Sequence, residues 1–396
     1  MNFFKNKLTF ISPIVVIAVL FIFSLTLIPS ISPSPKDMPV AIVNEDTGIT
    51  LPNNTELKMG STISENIRSQ AIAKQDTPIK WIEVNNLKEV QKGLDEKKYY
   101  AALVIPKDFS KNQASLQTLA PISPEIKILV NQGLNPTAAN LASQMLNGIV
   151  DGVNTNIRTQ ILEGFKMQGN TITTEQAALL VSPIIKKVIN VNEIGTKSAN
   201  GNAPISMFQP LWMGSIAGAV IIFFSFNKSK FSSRKNKLTG ISIQVLMGMI
   251  LALIAGFGLT FLANSMLGLD IPKLGDTGLF LSLTYFTFFL MISAVLMWLG
   301  IKGLPIFILM LFFGAPLLAM PPEFLSPFYR NWIYSWLPMR QMIEGLRELF
   351  FFGKGFGWSH SAQMLTWIAL GSLIVLLCSS LKKGKHEGAD EFHSEA

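Results

Sequence analysis

The chain has 396 residues, a mean hydropathy of +0.38, only 15% charged residues, and 28 Phe against 5 Tyr. That balance excludes a wholly soluble protein and puts the chain in the membrane class. The net charge of +8 does not point to nucleic acid, because residues 30–206 hold 17 Lys and Arg against 16 Asp and Glu and the basic excess lies elsewhere.

Six segments carry no Asp, Glu, Lys, Arg or His: Phe10–Ile28, Met207–Phe226, Ile241–Asn264, Leu279–Gly300, Gly303–Met320 and Gln363–Leu381. Each is close to the roughly 20 residues that cross about 30 Å of hydrocarbon as a helix. The surplus cations sit in Lys5 and Lys7, in the loop of Lys228, Lys230, Arg234, Lys235 and Lys237, in Lys302, and in Lys382, Lys383 and Lys385. Alternation of six spans puts all four groups on one side, which the positive-inside rule identifies as the cytoplasm. Both termini are then cytoplasmic, and residues 30–206, 265–278 and 321–362 face outward. The expected fold is therefore an integral membrane α-helical protein. Six transmembrane helices are arranged as one plus five, with an extracytoplasmic α/β domain inserted between the first and second. The single cysteine, Cys378, lies in the last span, and an external domain without disulfides fits a multi-pass protein of a bacterial cell membrane.

Residues 1–29 have a basic start and an apolar run longer than a signal-peptide core, so they are read as an uncleaved anchor. Pro29, Pro33 and Pro35 end it. In residues 30–206 short β-rich runs alternate with helical ones. A strand at Met38–Val43 is closed by a turn over Asn44–Gly48. A helix near 56–74 leads to a strand near 79–84, and a helix at 87–96 leads to the run Tyr99–Pro106. A strand at 126–130 then precedes a long helix from Pro136. Strands separated by helices of this length argue for a small open α/β sheet with some parallel pairing. Along the long helix Leu141, Met145, Ile149, Val153, Ile157 and Ile161 recur every four residues. That face suits a stalk, a dimer seam or packing on the domain's own sheet, of which the last is the plainest. Thr173 and Gln176 form a possible capping box, and the helical pattern is expected to resume over 179–191. The Gly- and Asn-rich piece 195–202 reads as the linker into the membrane.

The membrane domain, residues 207–381, carries small residues four apart. Gly214 and Gly218 lie on the second span, and Gly248, Ala252 and Gly256 on the third. Such spacing lets helix backbones approach closely in lipid and does not say what approaches. Tyr329, Trp332, Tyr334 and Trp336 suit an aromatic belt at the outer interface. After Pro338 an amphipathic helix is expected. It would present Met339, Met342, Ile343, Leu346, Leu349 and Phe350 on one face, with Arg340, Glu344 and Arg347 placed to pair among themselves. It would lie in the outer interface or form half of a re-entrant hairpin. Residues 382–396 are a short polar cytoplasmic tail.

No catalytic constellation stands out. His360, His386 and His393 are scattered, and no cysteine pair could help them hold zinc. There is no G-x-S-x-G and no complete phosphate-binding loop. The chain is expected to be no enzyme, to need no cofactor or metal, and to depend on a separate subunit if it uses ATP. The ionisable groups that proton- or ion-coupled carriers keep inside the membrane are also missing.

The stretches Pro39–Asp46, Tyr99–Ser110 and Asn202–Gly214 resemble the YhgE/Pip group of bacterial membrane proteins, which looks related to the ABC-2 type permeases. The resemblance implies the permease subunit of an exporter, dimeric with itself or a homologue and driven by a cytoplasmic ABC-type ATPase. It implies that Asn2–Lys7 and the loop Lys228–Lys237 face that ATPase, and that residues 321–362 match the permeases' external re-entrant segment. The loop's charges alone are also enough to orient it and to attract anionic lipid. This chain departs from the long members of the group in having a compact external domain. The competing reading is a surface-displayed binding, phage-receptor-like or secretion-accessory protein whose spans serve only as anchors.

Overall fold

The computed structural model describes residues 13, 14, 16–21, 24, 35–51, 54–73, 77–118, 120–168, 171–229, 231 and 233–382. The expected first span and the basic residues before it fall largely outside that set, although the described positions between 13 and 24 are helical. The tail beyond Lys382 also lies outside the described residues. The chain divides into two compact units. One comprises Ser32–Gly195 with Met320–Arg330; the other comprises Met1–Ile31, Thr196–Ala319 and Asn331–Ala396.

The first unit is built on a five-stranded mixed sheet in the order β4-β1-β5-β6-β7. Its strands are β1 (Met38–Asn44), β4 (Ile79–Glu83), β5 (Ala101–Ile105), β6 (Glu125–Asn131) and β7 (Ile185–Val191), with β2 (Ile49–Thr50) and β3 (Glu56–Leu57) forming a separate small pair. β1 runs parallel to β4 and β5, β5 is antiparallel to β6, and β6 is parallel to β7. Both faces are covered, so the central strands read as apolar runs. Successive side chains enter opposite cores. Val40, Ile42, Leu103 and Ile105 point into one, and Ala41, Val43, Ala102 and Val104 into the other. Helix α2 (Leu87–Asp95) closes the second face with Val90 and Leu94. The first face takes α1 (Met59–Ala73), α3 (Phe109–Ser115) and the 33-residue α4 (Pro136–Gln168). The long helix thus packs on its own sheet through Ala138, Ala142, Leu146, Val150, Ile157 and Ile161.

At the carboxyl end of β1 the acidic turn does more than reverse the chain. Glu45 Oε1 accepts from Leu87 N–H at 2.8 Å at the start of α2, beside the Asn86 cap. Asp46 Oδ1 accepts from Ser110 N–H at 2.9 Å, while Oδ2 accepts from Ser110 Oγ at 2.5 Å and from Gly60 N–H at 3.0 Å. Ser110 Oγ in turn accepts from Met59 N–H at 2.8 Å. Each carboxylate meets orphan helix N–H groups and the positive end of the helix dipole. Gly60 is required at this point, since a Cβ there would lie 2.5 Å from the Asp46 Cβ.

Two expectations need correction. The pattern over 179–191 is not one helix, because α5 (Thr174–Leu180) is short and β7 follows. Pro183 lacks the N–H a helix needs, and Ile185, Val188, Ile189 and Val191 suit a strand that pairs with all of β6. The capping box of Thr173 and Gln176 is formed in both directions. The helix after Pro338 is not amphipathic in its surroundings, since Gln341, Arg347 and Glu348 are buried along with its apolar residues.

The second unit contains α6 (Ala203–Ser206), α7 (Phe208–Lys228), α8 (Arg234–Phe261), α9 (Leu274–Leu299), α10 (Leu304–Ala319), α11 (Pro338–Phe351) and α12 (His360–Cys378). Among the described residues four helical runs are long and apolar enough to cross a membrane: Ala203–Lys228, Arg234–Met266, Leu274–Ala319 and His360–Leu381. They make this a multi-pass membrane protein. The third run breaks at Gly300, which has φ +65, and Gly303 then sits against Val295 and Leu299. Trp212 of α7 touches Phe288 of α9 and Phe307 of α10, with its indole N–H donating to the Phe307 carbonyl at 3.2 Å. So α10 returns alongside α9.

The small-residue faces find their partner within the chain. Tyr285 of α9 donates to the Gly214 carbonyl at 3.1 Å, and its hydroxyl occupies the space a Cβ on Gly218 would need. A Cβ on Gly248 would enter the Phe289 ring, and one on Gly256 would lie 2.5 Å from Ser282 N and 2.6 Å from the Gly278 carbonyl oxygen.

Two predictions follow from these contacts. Asp46→Ala frees the Gly60 and Ser110 amides and removes about 1.5–3 kcal/mol. Their hydrogen exchange in the full chain should therefore quicken roughly 10- to 100-fold; unchanged exchange would contradict the role given to Asp46. Gly256→Ala forces a methyl into the backbone of α9 and is expected to cost about 1–3 kcal/mol. Gly258→Ala points into open space and should leave thermal unfolding in detergent unchanged, so equal melting temperatures would refute the close packing.

Candidate functional site

Where an open α/β sheet offers a ligand the carboxyl ends of its strands, this unit has placed Glu45 and Asp46. The helix N-termini that would hold a phosphate are thus already occupied by the protein's own carboxylates. A concave surface lies between α1 and α4, which share one face of the sheet and line an open groove of about 700 Å³.

Met59, Thr62, Ile63, Asn66 and Ile67 of α1 form one wall at helical spacing. Met145, Gly148, Ile149, Gly152, Val153, Asn156, Ile157, Thr159 and Gln160 of α4 form the other. Ile63, Ile67 and Ile157 are buried and make the floor, whereas Thr62, Asn66, Asn156, Thr159 and Gln160 are exposed along the rim. No lining residue is charged or aromatic. The charges of both helices, such as Glu65, Arg68, Asp151 and Arg158, lie outside the lining. Beside Met59 in sequence, Lys58 pairs with Glu56 at 2.6 Å, and their mutual hydrogen bond and attraction hold the Glu56 carboxyl below and the Lys58 amine above their usual values. The apolar repeat on α4 was legible in sequence, but four of its six residues line this groove, and of these Met145, Ile149 and Val153 are only partly buried.

A second feature of the sheet unit joins residues 223 positions apart. The Tyr100 hydroxyl donates to Glu323 Oε2 at 2.7 Å. The backbone N–H of Lys36 donates to the Glu323 carbonyl at 3.1 Å, and Phe324 enters the core with Val40, Leu103 and Ile105. The segment Met320–Arg330, which in sequence follows α10 and precedes α11, is thus part of the sheet unit.

In the membrane unit Arg340 Nε meets Glu344 Oε1 at 2.6 Å, and its guanidinium lies 4.8 Å from the centre of the Tyr334 ring. Arg347 and Glu348 are 8% and 6% exposed, and Lys354 approaches Glu348 at 3.5 Å. Trp332 and Trp336 are exposed and Tyr334 is buried. In the basic loop Lys228, Arg234 and Lys235 are exposed, and Ser233 caps α8 by accepting from Asn236 N–H. Lys237 donates to the Lys382 carbonyl at 2.8 Å, and Lys382 donates to the Trp298 carbonyl at 2.7 Å. Lys230 lies outside the described residues. Among the described residues no group of His, Cys, Asp or Glu could hold a metal ion.

Sequence reasoning did not find Gln244, which is 2% exposed on α8 with neither carboxamide atom hydrogen-bonded among the described residues. Ser293 of α9 is likewise buried and unpaired there. The contacts of Gly248 with Phe289 and Gly256 with Ser282 set an antiparallel register that brings Gln244 level with Ser293. A search restricted to ionisable groups passes over such residues.

The protein YhgE of Bacillus subtilis (strain 168) is 27% identical over 133 residues, which are 33% of this chain and 16% of that protein. The chain therefore matches only a small part of that relative's length. A crystal structure of a domain described as that of an ABC type-2 transporter from Thermotoga maritima MSB8 aligns with 42% of this chain and 97% of its own, at 18% identity and a TM-score of 0.27. A score of that size fixes no mechanism. The expected resemblance to the YhgE group agrees with the first of these matches. Residues 10–365 fit the model of the family described as a protein of unknown function, DUF3533, and since that stretch is most of the sequence, the chain belongs to the DUF3533 family.

Proposed function

We propose that the chain is the membrane subunit of an ABC-2-like exporter, driven by a separate ATPase and working as a homo- or heterodimer. In this reading six helices span the membrane, both termini are cytoplasmic, and residues 30–206 lie outside between the first and second spans. The chain itself is not an enzyme and binds no cofactor. Residues Lys228, Lys230, Arg234, Lys235 and Lys237, with Asn2–Lys7, face the ATPase, and the segment around Arg340, Glu344 and Arg347 forms the external re-entrant part.

One observation supports transport over anchoring. A domain that is merely displayed needs its two sequence ends attached and nothing more. Here the sheet unit also incorporates Met320–Arg330, held by Glu323 and Phe324. Any rearrangement of that unit therefore pulls on the chain leading to α10 and α11. The absence of ionisable residues from the apolar spans fits a scaffold moved by an external energy source better than an ion-coupled carrier.

Purification from the native host in mild detergent is expected to recover a nucleotide-binding subunit, and charge reversal at Lys228, Arg234 and Lys235 should lose it. Tyr100→Phe combined with Glu323→Ala removes a hydrogen bond to a charged group worth about 1.5–3 kcal/mol. It should keep the subunit but lower the nucleotide hydrolysis rate of the complex. Repeated failure to recover any such subunit would refute the reading, and so would hydrolysis indifferent to the Tyr100 and Glu323 changes.

A further inference from the structure

We propose that Gln244 of α8 and Ser293 of α9 hold a water molecule between the two helices, as a hydration site inside the membrane unit. The site is independent of the transport reading, because it concerns the helix seam whatever the chain moves.

The buried residues of α8 are Ile241, Gln244, Gly248, Ala252, Gly256 and Thr260, spaced three or four apart and so on one stripe. Gly248 packs on Phe289 and Gly256 on Ser282, so this stripe faces α9 in antiparallel register. Gln244 is one turn from Gly248, and Ser293 is one turn from Phe289 in the matching direction. They are the next pair along the seam. Gln244 is 2% exposed and Ser293 0%. Among the described residues neither carboxamide atom of Gln244 nor the Ser293 hydroxyl has a hydrogen-bond partner.

Ser293 departs from the habit of its neighbours. Ser215, Thr260, Ser282, Thr284 and Thr287 are buried in the same helices, and each donates to the carbonyl four residues back. The equivalent bond from Ser293 to the Phe289 carbonyl is not made. Its hydroxyl therefore needs a partner outside its own helix. A carboxamide and a hydroxyl buried in hydrocarbon without partners are costly.

The chemistry of the pair selects the ligand. A direct bond between the two side chains would leave either Nε2 or Oε1 of Gln244 unmet. A bridging molecule must accept from Nε2 and donate to Oε1, and water does both. A buried water typically makes about three hydrogen bonds, and Oε1, Nε2 and Ser293 Oγ supply three. A metal ion would need more oxygen or nitrogen ligands than one amide and one hydroxyl provide. Water has a short way to come, since Lys237 lies on the same stripe about 10 Å along the helix. It is half-buried, with its amine on the Lys382 carbonyl. The seam is thus closed by direct packing at Gly248 and Gly256 and by an exchangeable molecule at Gln244.

The test exposes the full chain in phosphatidylcholine nanodiscs to brief X-ray pulses, which make hydroxyl radicals from bound water, and reads side-chain oxidation by tandem mass spectrometry. Phe288 and Phe289 are both fully buried, but Phe288 packs on Trp212 whereas Phe289 lies on the Gln244 seam. Oxidation is expected to be several-fold greater at Phe289 than at Phe288, with the excess lost in Gln244→Met and in Ser293→Ala. Gln244→Met should also lower the melting temperature in detergent by about 2–4 °C, the shift for one net hydrogen bond in a unit of this size. Equal oxidation of the two rings, or an excess that survives both substitutions, would overturn the proposal. So would a higher melting temperature for Gln244→Met, which is the result for a carboxamide buried dry.

Discussion

The carboxylate of Asp46 is the contact on which the α/β unit depends. Three of its hydrogen bonds join β1, the start of α1 and the start of α3 at one point. Glu45, its neighbour, does the same for α2. Bonds to an ionised acceptor are about twice as strong as neutral ones, and here they satisfy N–H groups that would otherwise have no partner. The starts of α1 and α3 are tied to β1 at this junction, and α1 and α4 line the groove beyond it. The same carboxylates occupy the helix N-termini at that end of the sheet.

The membrane unit has a comparable centre in α9. Its neighbours α7 and α8 approach it through small residues at intervals of four, and α9 answers with Tyr285, Phe289 and the backbone around Gly278 and Ser282. In lipid there is no hydrophobic gain from bringing apolar helices together, so close van der Waals fit has to supply the attraction. Against that tight background Gln244 and Ser293 stand out. Two buried groups without hydrogen bonds among the described residues would cost about 1–3 kcal/mol each, and they lie at the same level of adjoining helices.

Much of the architecture could be read from the amino acids, and its limits have physical causes. Strands β1 and β5 were legible because a strand buried on both faces is an unbroken apolar run. The apolar helices were legible because charge is excluded from them. The segment from Ile185 to Val191 was misread because its apolar positions fit both periods, and only the length of β6 beside it selects a strand. α3 is too short for a periodic signal. The pair Arg340 and Glu344, four residues apart, was legible as a local contact. The partners of Asp46 lie up to 64 residues away and Tyr100 meets Glu323 across 223, separations that no local pattern encodes. Glycine spacing announced helix packing without naming Tyr285 or Phe289. The groove was invisible for another reason: it lies between two helices more than 70 residues apart in sequence, and sequence records their faces but not how they are placed beside one another.

The proposed transport role requires the α/β unit to move with the membrane helices rather than be displayed by them. Spin labels at the exposed Lys88 of the sheet unit and the exposed Lys302 of the membrane unit, introduced with Cys378 replaced, would report the distance between the units in the assembled complex. The account predicts a shift in that distance distribution when the ATPase subunit is trapped with nucleotide, and loss of the shift in Glu323→Ala. Identical distributions with and without nucleotide would contradict it.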